Sequence, residues 1–584
     1  MNLNYLDTEF MIMKLIDSKA IKKLILLFYV LTIILLFFAD DCLSAIYYVK
    51  NSGDDKAAGL SDQKAWKTIA KVNSFNFSDG DTVRFSRGST FNDATLISPG
   101  VNNFTIEDYG VGNKPHFDAD RIVPISIKAP IRNLVMKNID ISGGAAVGRK
   151  PRITIKNVHG VTVDGIYCNG GGPNNRYYAD GIKFVNCTGD IVVKNCEIHH
   201  LGPNPDPKVD DGDIQGLIIR RNNLNQNVPD SVNIFNNKIY NVRSDCIIIT
   251  GYNPKNDSNR PFNIYNNELY NGGENSIDVK QSWQVNIYNN LMFRDGLNNH
   301  GGGMQACLVI IHSGPGQYPD EKSGSGAVRI FNNHIKMNTN GNGKFWKGIY
   351  TAGGVTDFVF IYNNWIQDCY PAIGVYSSVG EVKIFGNILL ATREPSSLGT
   401  GASYYVVYQQ ADGVKFFNNT VVALASNING VYHHDAADSE CSYKNNIIVC
   451  HGNKYCFEID KGTAGNPEVN YNTYYNPNYS KRVNNKGLSV TTVGTNDRSR
   501  DPGLNKNYFP TSLIELKSGE TIGSDILDPD NTNLEKTFLI SPTKKQTQER
   551  GAWGDIQQES NPPSDSDNPQ KILPPLNLRI KPSK

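Results

Sequence analysis

Asn233-Ile-Phe-Asn-Asn-Lys-Ile, Asn263-Ile-Tyr-Asn-Asn-Glu-Leu and Asn286-Ile-Tyr-Asn-Asn-Leu-Met say the same thing three times in close succession. Val193-Lys-Asn-Cys-Glu-Ile comes before them. Arg329-Ile-Phe-Asn-Asn-His-Ile, Phe360-Ile-Tyr-Asn-Asn-Trp-Ile, Lys383-Ile-Phe-Gly-Asn-Ile-Leu, Lys415-Phe-Phe-Asn-Asn-Thr-Val and Ser442-Tyr-Lys-Asn-Asn-Ile-Ile follow. Each phrase alternates apolar β-branched and aromatic residues, turns at an Asn-Asn corner and alternates again. That is the period of a strand, not of a helix. Asn tolerates the left-handed backbone and bonds its own main chain, so it suits a sharp bend. Stacked in successive coils, its amide can build a ladder. From Asn263 to Asn286 is 23 residues, one bare coil, and from Asn286 to Arg329 is 43, a coil with a loop. A single coil cannot bury its apolar face, whereas many stacked coils can.

This periodicity predicts an all-β chain, a right-handed parallel β-helix (solenoid), with equivalent residues of neighbouring coils about 4.8 Å apart. The 584 residues fit one continuous body of that kind. Ala65 to Asn73 has helical apolar spacing through Trp66, Ile69 and Val72, and predicts an N-terminal capping helix over the first open edge. Gly80-Asp81-Thr82-Val83-Arg84-Phe85 then opens the strands, and Gly551-Ala552-Trp553-Gly554 closes the body. Residues 557–584 are polar and Pro-rich and read as a flexible tail. The domain reading is 1–45 signal peptide or N-terminal anchor, 46–556 β-helix and 557–584 tail.

Lys22 and Lys23 precede the apolar run Leu24 to Ala39, and Leu43-Ser44-Ala45 follows it. This predicts export with cleavage after Ala45, to a secreted or periplasmic location, the alternative being a membrane anchor at 24–39. The net charge of +1 offers no basic field for nucleic acid. Membrane contact is expected only through an uncleaved N-terminal segment, and the chain is expected to be a monomer. Of 10 cysteines, those in the repeats are expected to be buried and free. Cys450 and Cys456 are the pair best spaced for a disulfide.

Aligning the strand after each loop gives apolar anchors Ile182, Leu217, Ile247, Ile277, Leu308 and Ile349. Two positions earlier stand Asp180, Gln215, Asp245, Asn275, Ala306 and Lys347. Three positions later stand Val185, Arg220, Thr250, Lys280, Ile311 and Ala352. Alternation turns Arg220 and Lys280 outward, with Asp278 on the face of Lys280. An acidic loop, Val209-Asp210-Asp211-Gly212-Asp213, lies upstream. Asp210, Asp211, Asp213 and Asp245 are the candidate metal ligands. Lys280 and Arg220 are the candidate catalytic residues, and Asp278, His312 and Arg221 the candidate substrate-binding ones.

The opening pattern, the Asn-Asn coils and the closing Gly-Ala-Trp-Gly resemble the pectate-lyase-like β-helix superfamily, over roughly residues 46–556. The acidic loop with Lys280 resembles family 9 of its polysaccharide lyases. That resemblance implies calcium on the aspartate cluster and Lys280 as the base that removes the C5 proton of a uronate. Calcium favours such carboxylates, and a positive neighbour on the substrate carboxylate would stabilise the enolate-like charge. The implied function is a calcium-assisted lyase on a uronic-acid polysaccharide, with a uronate epimerase as a variant. Ser244-Asp245-Cys246 also resembles the polygalacturonase Asp-Asp-Cys motif without its first Asp. This leaves a glycoside hydrolase with paired carboxylates as the alternative. A non-catalytic polysaccharide-binding β-helix is the third.

Overall fold

The structure, a computed structural model, describes residues 23–30 and 44–508. Within that span it leaves out 119–123, 144–150, 171–178, 203–213, 222–228, 253–260, 283, 295–306, 313–327, 338–346, 353–357, 378–379, 395–403, 435–439, 461–466, 481, 487, 491–492, 505 and 507. The expected closing segment and tail lie outside the described residues, as do Asp210, Asp211 and Asp213.

The chain winds into a right-handed parallel β-helix with three sheets of 15 strands each. Strands three apart in sequence are neighbours in space, except where Ile46–Val49 lies beside Thr82–Ser86 and Val483–Asn485 beside Leu488–Val490. Sheet one runs from Ile46–Val49 to Glu468–Asn470, sheet two from Leu96–Ile97 to Leu488–Val490, and sheet three from Thr90–Phe91 to Arg498–Ser499. All described pairings are parallel except the last of sheet two, where Val483–Asn485 meets Leu488–Val490 antiparallel. The core is the tube interior. In sheet two the inward column passes through Ile182, Leu217, Ile247, Ile277, Val309 and Ile349, all fully buried. Burying each such side chain contributes about 1.5–3 kcal/mol.

The two asparagines of each corner do different work. The first takes the left-handed backbone, with φ between 52° and 57° at Asn236, Asn266, Asn289, Asn332, Asn363, Asn418 and Asn445. The one corner written Gly-Asn has Gly386 at that place, φ 62°, a conformation open to Gly or Asn and costly for others. The second asparagine points inward and stacks. Asn237, Asn267, Asn290, Asn333, Asn364, Asn387, Asn419, Asn446 and Asn472 form a buried amide ladder, each Nδ2 donating to the next Oδ1 over 2.9–3.2 Å. The same Oδ1 atoms accept backbone N–H groups, for example Asn290 N to Asn333 Oδ1 at 3.0 Å. Asp497 receives the last rung, 3.3 Å from Asn472 Nδ2.

The N-terminal cap is shorter than the sequence pattern implied. The helix is Ile69–Asn73, started by Thr68, whose hydroxyl accepts from Lys71 N at 3.0 Å. Trp66 precedes it in a bridge to Val49 and stacks on Tyr47 with ring centres 5.0 Å apart. Its pull toward the first coil extends the backbone and defers the helix. The first strand likewise comes earlier than expected: Ile46–Val49 pairs with Thr82–Ser86 and shelters its edge.

Among the described residues, eight cysteines are buried outside any disulfide. Cys450 and Cys456 are among them, so the pair best spaced for a disulfide is not bonded. Burial and the neighbouring Cys456 thiol push the Cys450 thiol up. At the N-terminus residues 23–30 form an exposed helix. Among the described residues no helix is long and apolar enough to cross a membrane.

Candidate active site

Sheet two gathers the sequence-predicted residues that are described. Parallel register places Arg220 beside Thr250, Thr250 beside Lys280, and Lys280 beside His312. Arg220 and Lys280 are therefore two coils apart, roughly 10 Å along the axis. Here the structure corrects the sequence alignment by one residue. The partner of Ile277 is Val309, not Leu308, and the partner of Asn275 is Cys307, not Ala306. The run Cys307–His312 is apolar at five successive positions, so alternation could not tell inside from outside there. The shift brings His312, rather than Ile311, into the column of Lys280.

Asn275–Ser282 is one eight-residue strand. Ile277 and Val279 point into the tube, which turns Asp278 and Lys280 outward. Lys280 Nζ lies 2.9 Å from Asp278 Oδ2. The two side chains differ in depth: Asp278 is 2% exposed and Lys280 23%. Asp245, one coil earlier, is 1% exposed. Its Oδ1 accepts from Asn275 Nδ2 at 2.7 Å, the amide that follows it in the column before each strand. At the same level Ser244 Oγ donates to Glu274 Oε2 at 2.8 Å. Two carboxylates thus sit under one ammonium that reaches solvent, with a third at the rim.

The electrostatics follow from that layering. Burial, followed by repulsion from Asp278 and Glu274, holds the Asp245 carboxyl well above the usual carboxylate range. Burial alone would lower Lys280, but Asp278, Asp245 and Glu274 together outweigh it and raise the lysine above its ordinary value. Arg220, a positive neighbour that would lower Lys280, stands farther off. At two coils' distance, with an ion pair in contact, the carboxylates prevail.

Arg220 ends its strand half-buried on the outer wall, while Arg221 is buried behind it, its N–H bonded to Thr250 O at 3.1 Å. Asp180, at the head of the Asp245 column, accepts from Gln215 N at 3.1 Å and lies 3.6 Å from Lys183 Nζ. Among the described residues no group of three or more His, Cys, Asp or Glu stands placed to hold a metal ion. Asp245 and Asp278 are already engaged by Asn275 and Lys280, so the described residues alone do not make a calcium site.

Sequence reasoning missed the aromatic rows. Phe235, Tyr265, Tyr288, Phe331, Tyr362, Phe385 and Phe417 stack along sheet one with ring centres 4.9–5.0 Å apart. The signal was present, since an aromatic precedes nearly every Asn-Asn corner. On sheet two, Tyr350, Tyr376, Tyr408 and Tyr432 form a second row, downstream of Lys280.

No protein-family model matches the chain, and no curated protein sequence does. Solved structures do resemble it. One is an alginate lyase complex, with 11% identity and a TM-score of 0.40, covering 80% of this chain and 91% of that one. Another is the PL6 family polysaccharide lyase Pedsa3628 from Pseudopedobacter saltans, at 13% identity and a TM-score of 0.32, covering 78% and 99%. A third is the GH136 lacto-N-biosidase from Eubacterium ramulus, at 15% identity and a TM-score of 0.36, covering 78% and 68%.

Proposed function

We propose that the chain is a secreted carbohydrate-active enzyme that cleaves a uronic-acid-containing polysaccharide by β-elimination at the Asp245–Asp278–Lys280 cluster. The observation that carries the reading is the ion pair of Lys280 with Asp278, on the outer wall that also presents Arg220. Lys280 is the member of the cluster that reaches solvent, so it is the one a bound sugar would meet. In the reaction the C5–H bond breaks and its proton passes to a neutral Lys280 Nζ. The electron pair forms the C4–C5 double bond, and the C4–O bond to the departing sugar breaks. Arg220 would bind the carboxylate of a flanking uronate, since a guanidinium forks onto a carboxylate. His312, beside Lys280 in the column, would line the neighbouring position, whereas Arg221 is buried behind the wall. Calcium, if Asp210, Asp211 and Asp213 supply it, would neutralise the substrate carboxylate. The protein would act as an exported monomer, with residues 24–39 as its export signal or anchor.

One observation favours a second reading. A buried carboxyl raised well above the usual carboxylate range, Asp245, near an ion-paired carboxylate, Asp278, resembles the unequal pair of carboxyls that a glycoside hydrolase uses. Incubation of the purified protein with pectate, alginate and glycosaminoglycans, with Ca²⁺ or chelator, separates the two. A lyase gives products that absorb as unsaturated uronates. A hydrolase gives new reducing ends without that absorbance. Neither product from any polymer would overturn both.

A further inference from the structure

Asp81 stands just before the strand Thr82–Ser86 and is 2% exposed. Its Oδ1 accepts from Ala45 N at 2.7 Å and its Oδ2 from Ser78 N at 2.8 Å. Both donors are neutral peptide groups, and among the described residues no Lys, Arg or His is ion-paired with it. A carboxylate out of water is costly unless a positive charge compensates it.

Ala45 is bound into the fold on both sides. Besides its N–H on Asp81, its carbonyl accepts from Thr82 N at 2.9 Å. The next residue opens Ile46–Val49, which pairs with Thr82–Ser86. A chain that began at Ile46 would lose both bonds, leaving Asp81 Oδ1 without its donor and Thr82 N without its acceptor. Ser44, one residue back, is exposed. The residue types point to the same bond. Export peptidases favour small residues one and three positions before the cut. A cut after Ser44 puts Ser44 and Cys42 there, both small, whereas a cut after Ala45 puts Leu43 at the farther position.

We propose that export processing cuts the Ser44–Ala45 bond, one residue before the position expected from the leader pattern, and that the new Ala45 ammonium pairs with Asp81. This rests on the reading of residues 24–39 as an export signal. The C–N bond breaks with addition of one water. Ser44 keeps the carboxylate, and the released amine of Ala45 takes up a proton at neutral pH. The nitrogen already 2.7 Å from Asp81 Oδ1 then carries a positive charge that a peptide donor does not supply. In the folded coil that nitrogen is held by Asp81, so the cut comes before the first strand docks. Processing thereby fastens Ile46–Val49 over the edge of Thr82–Ser86.

Two measurements test this. Exported protein from cells expressing the full chain would be sequenced from its N-terminus and weighed intact. A start at Ala45 is expected, and a start at any other residue would overturn the cut. Retention of residues 24–39 would overturn the export-signal reading with it. The ion pair is tested without export, on the chain 45–584 bearing a free amine. An anion in contact raises an amine, so the α-amine should titrate about one unit or more above its ordinary 7.7–8.0 and fall back in Asp81→Asn. The pH dependence of its acylation, read on the N-terminal peptide, measures this. Acetylating the amine should lower the thermal transition of the wild type by about 2–4 °C and leave that of Asp81→Asn in place. Ordinary titration in both proteins, or an equal response to acetylation, would overturn the pairing.

Discussion

Lys280 Nζ and Asp278 Oδ2 are 2.9 Å apart on one strand, the carboxylate sealed at 2% exposure and the ammonium open at 23%. The strand's alternation makes this contact, because residues two apart share a face. The arrangement makes the pair at once a structural element and a candidate reacting group, and the two roles can be separated.

Lys280→Ala strands the Asp278 carboxylate in its buried site. It is expected to cost about 1–3 kcal/mol, since removal of one partner leaves a desolvated charge uncompensated. The double variant Asp278→Asn/Lys280→Met removes both charges and should recover most of that loss. Thermal or urea denaturation of the two variants checks it; equal destabilisation would mean that the pair is not coupled.

The pH profile carries a sign that the raised lysine fixes. A base must be neutral, and Lys280 is held above its ordinary value, so the rate should climb with pH well into the alkaline range. Stability runs the other way. The raised lysine contributes stability that is present below about 10.4 and is lost as pH climbs through the folded-state value. Asp245→Asn removes one of the carboxylates that raise Lys280, so the alkaline rise should move to lower pH. Because the Asp245 carboxyl is itself raised, its ionisation opposes folding above about 3.9. The Asn variant should therefore be at least as stable as wild type at neutral pH. Rate–pH curves and melting curves of the two proteins test both statements.

The amide ladder is open to a separate test. Asn333→Ala removes the Oδ1 that serves Asn290 N and Asn290 Nδ2, both at 3.0 Å. Two buried donors lose their acceptor, at an expected cost of about 2–4 kcal/mol. Chemical denaturation measures it, and a loss within error of zero would mean that the ladder contributes nothing.

At the preceding corner position, Asn332 has φ 54°. Asn332→Gly should be nearly neutral, as Gly386 already fills the equivalent place in another coil. Asn332→Val should cost about 1–2 kcal/mol, the strain of a β-branched side chain in the left-handed region. Equal stabilities would contradict the division of roles between the two corner asparagines.

The fold was legible because one phrase carries both of its requirements, an inward apolar alternation and a corner residue that accepts positive φ. Asn263-Ile-Tyr-Asn-Asn and its copies fixed which residues stack, and the register of Ile247 with Ile277 came out as read. The reading slipped where alternation was lost. In Cys307–His312 nothing in the residue types says that Val309, not Leu308, stands beside Ile277. Trp66 kept its place in the cap but left the helix, because bridging to Val49 competed with helical spacing. The site was half legible. Spacing brought Asp245, Lys280 and Arg220 to one wall. Depth could not be read, and depth is what turns Asp278 from a substrate ligand into a buried counter-ion. The acidic loop of Asp210, Asp211 and Asp213 lies outside the described residues. The tyrosine row depends on a bulge at Tyr376 that no local pattern announces.

Product analysis on a uronate-containing polysaccharide tests the assignment of Lys280 most directly. Wild-type protein should release chains ending in an unsaturated uronate, and Asp278→Asn/Lys280→Met, folded by the criteria above, should release none. Unsaturated products from that double variant at the wild-type rate would contradict it.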